Sequence, residues 1–202
     1  MTPDPPQPAA AVVEPADPEP KEAPAPGNRS RRLLVEWGLI IAIALVVAVV
    51  VRVFVFQTFF IPSTSMYPTL HPGDRIVVLK LERTPSPGQI VVFRRPPAED
   101  CGGPVVPDLV KRVIGLPGQV IEGRDGVVFI NGKRLAEPWL PKVRTTYTAN
   151  FGPLKIPADH YFMMGDNRVD SCDSRDWGPL PASYIVGKVV MRIWPLGRIT
   201  FF

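Results

Sequence analysis

Arg124-Asp-Gly-Val-Val-Phe-Ile-Asn-Gly132 decides the fold of most of this chain. Four β-favouring residues, Val127 to Ile130, stand between an Asp-Gly and an Asn-Gly pair. Those dipeptides accept the positive φ that two-residue hairpin turns need, so the stretch reads as a strand with a tight turn at each end. The same grammar recurs on either side. Ile76-Val-Val-Leu79 and Ile90-Val-Val-Phe93 are short β-rich runs bounded by Gly, Pro and Asp, and Val186 to Trp194 makes a late strand. No segment after residue 57 has helical periodicity, which favours an antiparallel barrel or sandwich there.

The N-terminal part follows other rules. Every residue from Trp37 to Val51 is apolar or Gly, and the apolar character resumes after Arg52 with Val53 to Phe56. A helix over Leu33 to Phe56 reaches about 36 Å, enough to cross ~30 Å of hydrocarbon with Glu36 and Arg52 near its ends. A cleavable leader is disfavoured, because a long arm precedes the run and no small-x-small site follows it. Arg29, Arg31 and Arg32 precede the span and assign that side to the cytoplasm, with the C-terminal part outside. Nine of the 26 prolines fall in the first 26 residues. Residues 1–28 hold little else but Ala and acidic side chains, too few apolar groups to offset their ordering entropy. The expected division is a disordered cytoplasmic arm at 1–32, a transmembrane helix at 33–58 and an external domain at 59–202. The formal charge of +4 is spread along the chain rather than gathered in a patch, which argues against a nucleic-acid partner.

Three segments place polar residues where simple structure does not require them. Ile61-Pro-Ser-Thr-Ser-Met-Tyr-Pro-Thr-Leu70 sets two serines one residue apart between Pro62 and Pro68. An ordinary Ser/Thr turn has the same composition. Leu109-Val-Lys-Arg-Val-Ile-Gly-Leu-Pro-Gly118 puts Lys111 on one strand face with Leu109 and Val113, and Arg112 on the other. A lysine there ordinarily snorkels. If buried, it loses the ammonium's hydration and becomes a usable base. Gly165-Asp-Asn-Arg-Val-Asp-Ser-Cys-Asp-Ser-Arg-Asp-Trp-Gly178 packs Asp166, Asp170, Asp173 and Asp176 into eleven residues. The spacing lacks the Gly and closing Glu of a calcium loop, and no His accompanies it for zinc. Asp–Arg pairing is the more economical reading, with no metal and no cofactor.

Taken in order behind one apolar span, "PSTSMYPTL", "GDRIVV", "KRVIGLPG" and "GDNRVDSCDSRDWG" resemble the sequence boxes of the bacterial type I signal peptidase (leader peptidase) family. The resemblance runs from the span to near the C-terminus. It implies an antiparallel β-sheet, barrel-like catalytic domain behind the transmembrane helix. It further implies Ser65 as nucleophile, Lys111 as general base, and Ser63 as an oxyanion donor beside the Ser65 backbone N–H. Ser171 is implied to orient the Lys111 amine, and Asp173 with Arg175 to form a supporting ion pair, with Asp166 and Arg168 in the same loop. Ile61, Met66, Leu70 and Val110 are implied to line shallow pockets for small side chains at the −1 and −3 positions of preprotein signal peptides. The implied location is the bacterial cell membrane, crossed once, with the catalytic domain on the outer face against the lipid bilayer.

The residues make chemical sense beside that likeness. A serine hydroxyl needs a base, and the chain has only two histidines, His71 and His160, both expected at the surface. Two departures stand out. Cys172 follows Ser171, and Cys101 lies in a Gly/Pro-rich insertion; two cysteines in an exported domain can pair. Gln119 replaces the acidic residue often found after "GLPG". Among alternatives, self-cleaving repressors would have no use for the span, while mitochondrial inner-membrane peptidases stay open, although the Pro-rich acidic arm is a poor transit peptide. A membrane-anchored β-domain without activity would make Ser65 and Lys111 replaceable.

Overall fold

The structure, a computed structural model, describes residues 27–102 and 105–202, so the arm lies outside the described residues up to residue 26. It divides into two compact units, one ending at Ala44 and one running Leu45–Phe202. Helix α1 spans Gly27–Phe54, and Arg31–Phe54 is long and apolar enough to cross a membrane. All its side chains from Arg31 to Phe54 are exposed. Both boundaries differ from the expected 33–58. No proline lies between Pro26 and the helix end at Phe54, so the arginine-rich approach continues the helix. At the other end Phe56-Gln-Thr-Phe-Phe60 leaves the helix for a strand ladder, which suits its aromatic residues.

Twelve strands follow: β1 Phe56–Phe60, β2 Arg75–Leu79, β3 Ile90–Arg94, β4 Asp108–Gly115, β5 Val120–Arg124, β6 Val127–Ile130, β7 Lys133–Arg134, β8 Phe151–Lys155, β9 His160–Met164, β10 Leu180–Pro181, β11 Ile185–Trp194 and β12 Thr200–Phe201. All the described pairings are antiparallel. The larger sheet runs β1-β2-β11-β3-β4-β9-β10, with β12 on β11, and the smaller runs β7-β6-β5-β8. The larger sheet curls without closing, so the barrel-like expectation is met as a half-barrel. Its end strand β1 is Phe-Gln-Thr-Phe-Phe; the other edges are the two-residue β10, β12 and β7, and β8 with Pro153 inside it. Asp125 and Gly126 have φ of 52° and 80°, and Asn131 and Gly132 of 51° and 74°, the double left-handed turns that the sequence predicts.

Three apolar clusters hold the domain together. Ile61, Met66 and Leu70 join Ile76, Val78, Ile90, Val92 and Val189 in the first. Val91, Phe93, Val113, Met163, Leu180 and Ile185 form the second. Ile114, Ile121, Val128, Ile156, Phe162 and Met164 form the third and join the two sheets. Gly115 sits in that seam: a Cβ there would meet Ile156 and Phe162. Among the described residues the only α-helix after α1 is the single turn α2, Ser174–Trp177, too short for periodicity to reveal.

Candidate active site

Ser63 and Ser65 lie on the turn that carries the chain from β1 to β2. Its apolar members anchor it from below: Ile61, Met66 and Leu70 are at most 2% exposed. Val110 packs against the same cluster from β4. The four residues implied as pocket lining thus share one patch, with Leu70 wholly enclosed. The turn closes on itself through Tyr67 N–H donating to the Thr64 carbonyl at 2.9 Å and Leu70 N–H to the Met66 carbonyl at 2.9 Å. The two serine hydroxyl oxygens stand 3.3 Å apart, Ser65 half-buried and Ser63 exposed.

Lys111 lies in the middle of β4, paired with Val91 of β3, and is 4% exposed. Leu109 and Val113 pack in the second cluster while Val110 packs in the first, the alternation expected for this strand. Burial strips the amine of water and pulls its pKa from 10.5 to about 8. Asp173 opposes that shift most, Glu99 and Asp166 less so, and Arg175 reinforces it. Burial outweighs all four charges.

The 165–178 loop reaches both residues. Asn167 donates its backbone N–H to the Ser65 carbonyl at 3.0 Å and its side-chain Nδ2 to the Thr64 carbonyl at 3.2 Å. Thr64 Oγ1 donates to Asp170 Oδ2 at 2.7 Å. A Cβ on Gly165 would strike the Ser65 carbonyl oxygen and the Ser171 hydroxyl, so these two groups flank a position that admits no side chain. The Ser171 hydroxyl is buried and has no hydrogen-bond partner among the described residues.

The loop owes its shape to buried ions. Asp173, fully buried, accepts from Arg175 Nε at 2.8 Å and Nη2 at 2.8 Å and from Gly165 N–H at 2.9 Å. It also caps α2, with Asp176 accepting from the Asp173 N–H at 3.0 Å. The supporting pair Asp173–Arg175 is therefore present. Asp166 turns instead to Arg112, which donates to it through Nε at 2.8 Å and Nη2 at 2.6 Å, while Thr69 Oγ1 donates to the same carboxylate. Arg168 pairs with Glu137 and donates Nε to the Gly165 carbonyl at 3.0 Å. All four aspartates thus have protein donors.

Elsewhere, Cys101 and Cys172 bring their sulfurs to disulfide distance, with Cα atoms 6.1 Å apart. Gln119 closes its own turn by accepting the Leu116 N–H at 2.8 Å. His71 and His160 are both half-buried, neither fully at the surface nor in the core. The His71 ring is 4.9 Å from that of Tyr67, and burial lowers its pKa. Sequence reasoning also missed Glu99, Glu137 and Asn167. Glu137 pairs with Arg168, 31 positions along the chain, which leaves no local pattern to read, whereas Glu99 pairs with Arg95 four positions before it.

Comparisons with known proteins identify the family. A family model described as "Signal peptidase, peptidase S26" matches residues 34–194. The chain is 37% identical over 200 residues to signal peptidase I of Leptolyngbya laminosa, covering 97% of this chain and 93% of that one. It is 37% identical over 179 residues to signal peptidase I T of Bacillus subtilis, covering 81% of this chain and 87% of that one. A crystal structure of a signal peptidase I from Enterococcus faecalis is 30% identical, with a TM-score of 0.42, and covers 52% of this chain and 96% of that one. A buried lysine, paired serines and matched boxes along most of the chain meet in one conclusion: this chain belongs to the signal peptidase family, peptidase S26, a family of serine-type hydrolases.

Proposed function

We propose that the chain is a membrane-anchored serine endopeptidase that removes N-terminal signal peptides from exported preproteins, with Ser65 as nucleophile and Lys111 as general base. The observation that carries this reading is the burial of Lys111, which makes its neutral amine accessible near pH 8 beside the loop that also grips the Ser65 backbone. Neutral Lys111 takes the Ser65 hydroxyl proton as the oxygen attacks the scissile carbonyl. The oxyanion that forms is held by the Ser65 N–H and the Ser63 hydroxyl, and loss of one such donor costs about 10²–10³ in rate. The Lys111 ammonium then protonates the departing amine, and water hydrolyses the acyl-serine by the same route in reverse. Ser171, buried and unpartnered, supplies the hydrogen bond that aims the amine.

Helix α1 serves as the single anchor, with Arg29, Arg31 and Arg32 on the cytoplasmic side. Ser65 follows the helix end, Phe54, by eleven positions (65 − 54), which holds it within about 40 Å of that end by chain reach. The first apolar cluster, with Ile61, Met66, Leu70 and Val110, forms the floor of shallow pockets that admit small residues at −1 and −3. Cys101 and Cys172 are joined as a disulfide in the oxidising exterior.

The test is cleavage of a preprotein carrying Ala at −1 and −3 by the full chain in detergent. Ser65→Ala and Lys111→Ala are each expected to abolish cleavage while the circular dichroism of the domain is kept. Inactivation by His71→Ala, with Lys111→Ala still active, would sink the serine–lysine assignment.

A further inference from the structure

The segment 135–142, Leu-Ala-Glu-Pro-Trp-Leu-Pro-Lys, follows β7 and leads out of the smaller sheet. Two prolines stiffen it: Pro138 favours an extended Glu137, and Pro141 fixes φ near the far end. Leu140 N–H donates to the Glu137 carbonyl at 3.1 Å, and Leu135 and Trp139 pack against the third apolar cluster. Two side chains of the segment hold arginines that border the active centre. Glu137 accepts from both Nη atoms of Arg168 and is, among the described residues, that arginine's only acidic partner. The Arg168 side chain is fully enclosed and donates Nε to the Gly165 carbonyl at 3.0 Å. The Trp139 ring centroid lies 5.4 Å from the Arg112 guanidinium, and the ring fills the space that a Cβ on Gly88 would need. Arg112 in turn donates Nη1 to the Gly88 carbonyl at 2.5 Å and holds Asp166.

We infer that segment 135–142 is a stiff strap that holds the 165–178 loop in place, and that Glu137 and Trp139 on it are positioning residues for the reaction. The inference rests on the Ser65–Lys111 reading. Glu137 acts through Arg168 on Gly165. That glycine abuts both the Ser65 carbonyl and the Ser171 hydroxyl, and its N–H is fixed on Asp173. It therefore has no room to move without displacing them. Loss of the Glu137 charge leaves an enclosed guanidinium without its counter-charge, and Arg168 must turn from Gly165 to find water or another partner. Trp139 acts through Arg112, the guanidinium that ties β4, the strand of Lys111, to Asp166 of the loop. Both residues work through an arginine rather than on the reacting atoms.

The experiment measures kcat and KM separately for the full chain in detergent, with the preprotein as substrate, at a temperature where circular dichroism shows each variant folded. Glu137→Gln keeps the shape of the side chain and removes its charge. Its expected effect is a kcat about tenfold lower with KM changed less than about twofold, because the displacement reaches the reacting groups. Glu137→Asp keeps the charge on a shorter arm and is expected to fall between; it takes the place of Glu137→Gln where that variant fails to fold. Trp139→Leu is expected to lower kcat about threefold. In an Arg168→Met background Glu137→Gln is expected to add nothing, since the two act as one unit. Hydrogen exchange of peptides covering 165–171 is expected to quicken in Glu137→Gln. An unchanged kcat in folded Glu137→Gln overturns the inference, as does a loss that persists in full beside Arg168→Met. So does unchanged exchange across 165–171, a result read without any peptidase activity. A wild-type chain that leaves the preprotein uncut overturns the peptidase reading, and the catalytic part of this inference with it.

Discussion

Two loops meet at the candidate active centre, and they are held by opposite means. The 61–70 turn is anchored by apolar side chains, Ile61, Met66 and Leu70, sunk into the first cluster. The 165–178 loop is anchored by charge: Asp173 with Arg175, Asp166 with Arg112, and Arg168 with Glu137. Apolar anchoring is non-directional and degrades in steps as volume is removed. Buried ionic anchoring is directional and fails abruptly, because losing one partner strands the other charge in a low dielectric. The turn that carries Ser65 thus has a forgiving support, while the loop that borders Lys111, itself carried by β4, has an exacting one. That division suits the proposed chemistry, in which the lysine works only while its surroundings stay dry and its charges balanced.

The sharpest way to break this contrast is at Asp173. Asp173→Ala strands the Arg175 guanidinium and the Gly165 N–H together. A loss of about 3–5 kcal/mol is expected, read as a lowered melting temperature of the full chain in detergent, with cleavage lost as well. Equal stability in the variant would show that the loop is held by packing after all. On the apolar side, Leu70→Ala removes a fully enclosed side chain, for an expected cost of about 3 kcal/mol with measurable cleavage retained. Complete inactivation without that destabilisation would mean the turn needs geometry as exact as its partner's.

The smallest effect sharpens the contrast rather than breaking it. Cleavage is expected to fall about tenfold per unit as pH drops below about 8, the point to which burial brings Lys111. A rate flat from pH 6 to 9 would exclude lysine as the base. Stability follows the same group by linkage. Between about 8 and 10.5 the unfolded chain holds a proton on this lysine that the folded chain lacks, so stability rises with pH across that window.

The strands were legible because their signals are local. Val127–Ile130 between Asp-Gly and Asn-Gly folded as read, and the Ile76, Ile90 and Val186 runs fell within β2, β3 and β11. The helix was legible in kind but not in extent. Its end was decided by pairing of Phe56–Phe60 with Arg75–Leu79, a partner some twenty residues away. Helix α2 escaped notice because one turn has no period; its Asp173-x-x-Asp176 cap was the only available sign. Ser65 and Lys111 were singled out through ordered boxes, not through any property of either residue alone. The burial of Lys111 depends on β4 lying between strands β3 and β9. Glu137 left no trace in the sequence, since its partner Arg168 lies 31 positions away; Glu99 pairs with Arg95 four positions before it, a spacing that was there to be read.

The edges of the two sheets bear on how the protein can be handled outside a membrane. Four are poor templates for further pairing: β10, β12 and β7 have two residues each, and β8 contains a proline. β1 is the exception, five uncharged residues rich in phenylalanine, with Phe56 and Phe60 exposed. A fragment cut at Phe54 to drop the anchor keeps this adhesive border and gives it to bulk water, where copies will associate edge to edge. A soluble preparation therefore calls for charged substitutions at Gln57 or Thr58 as well as removal of the helix.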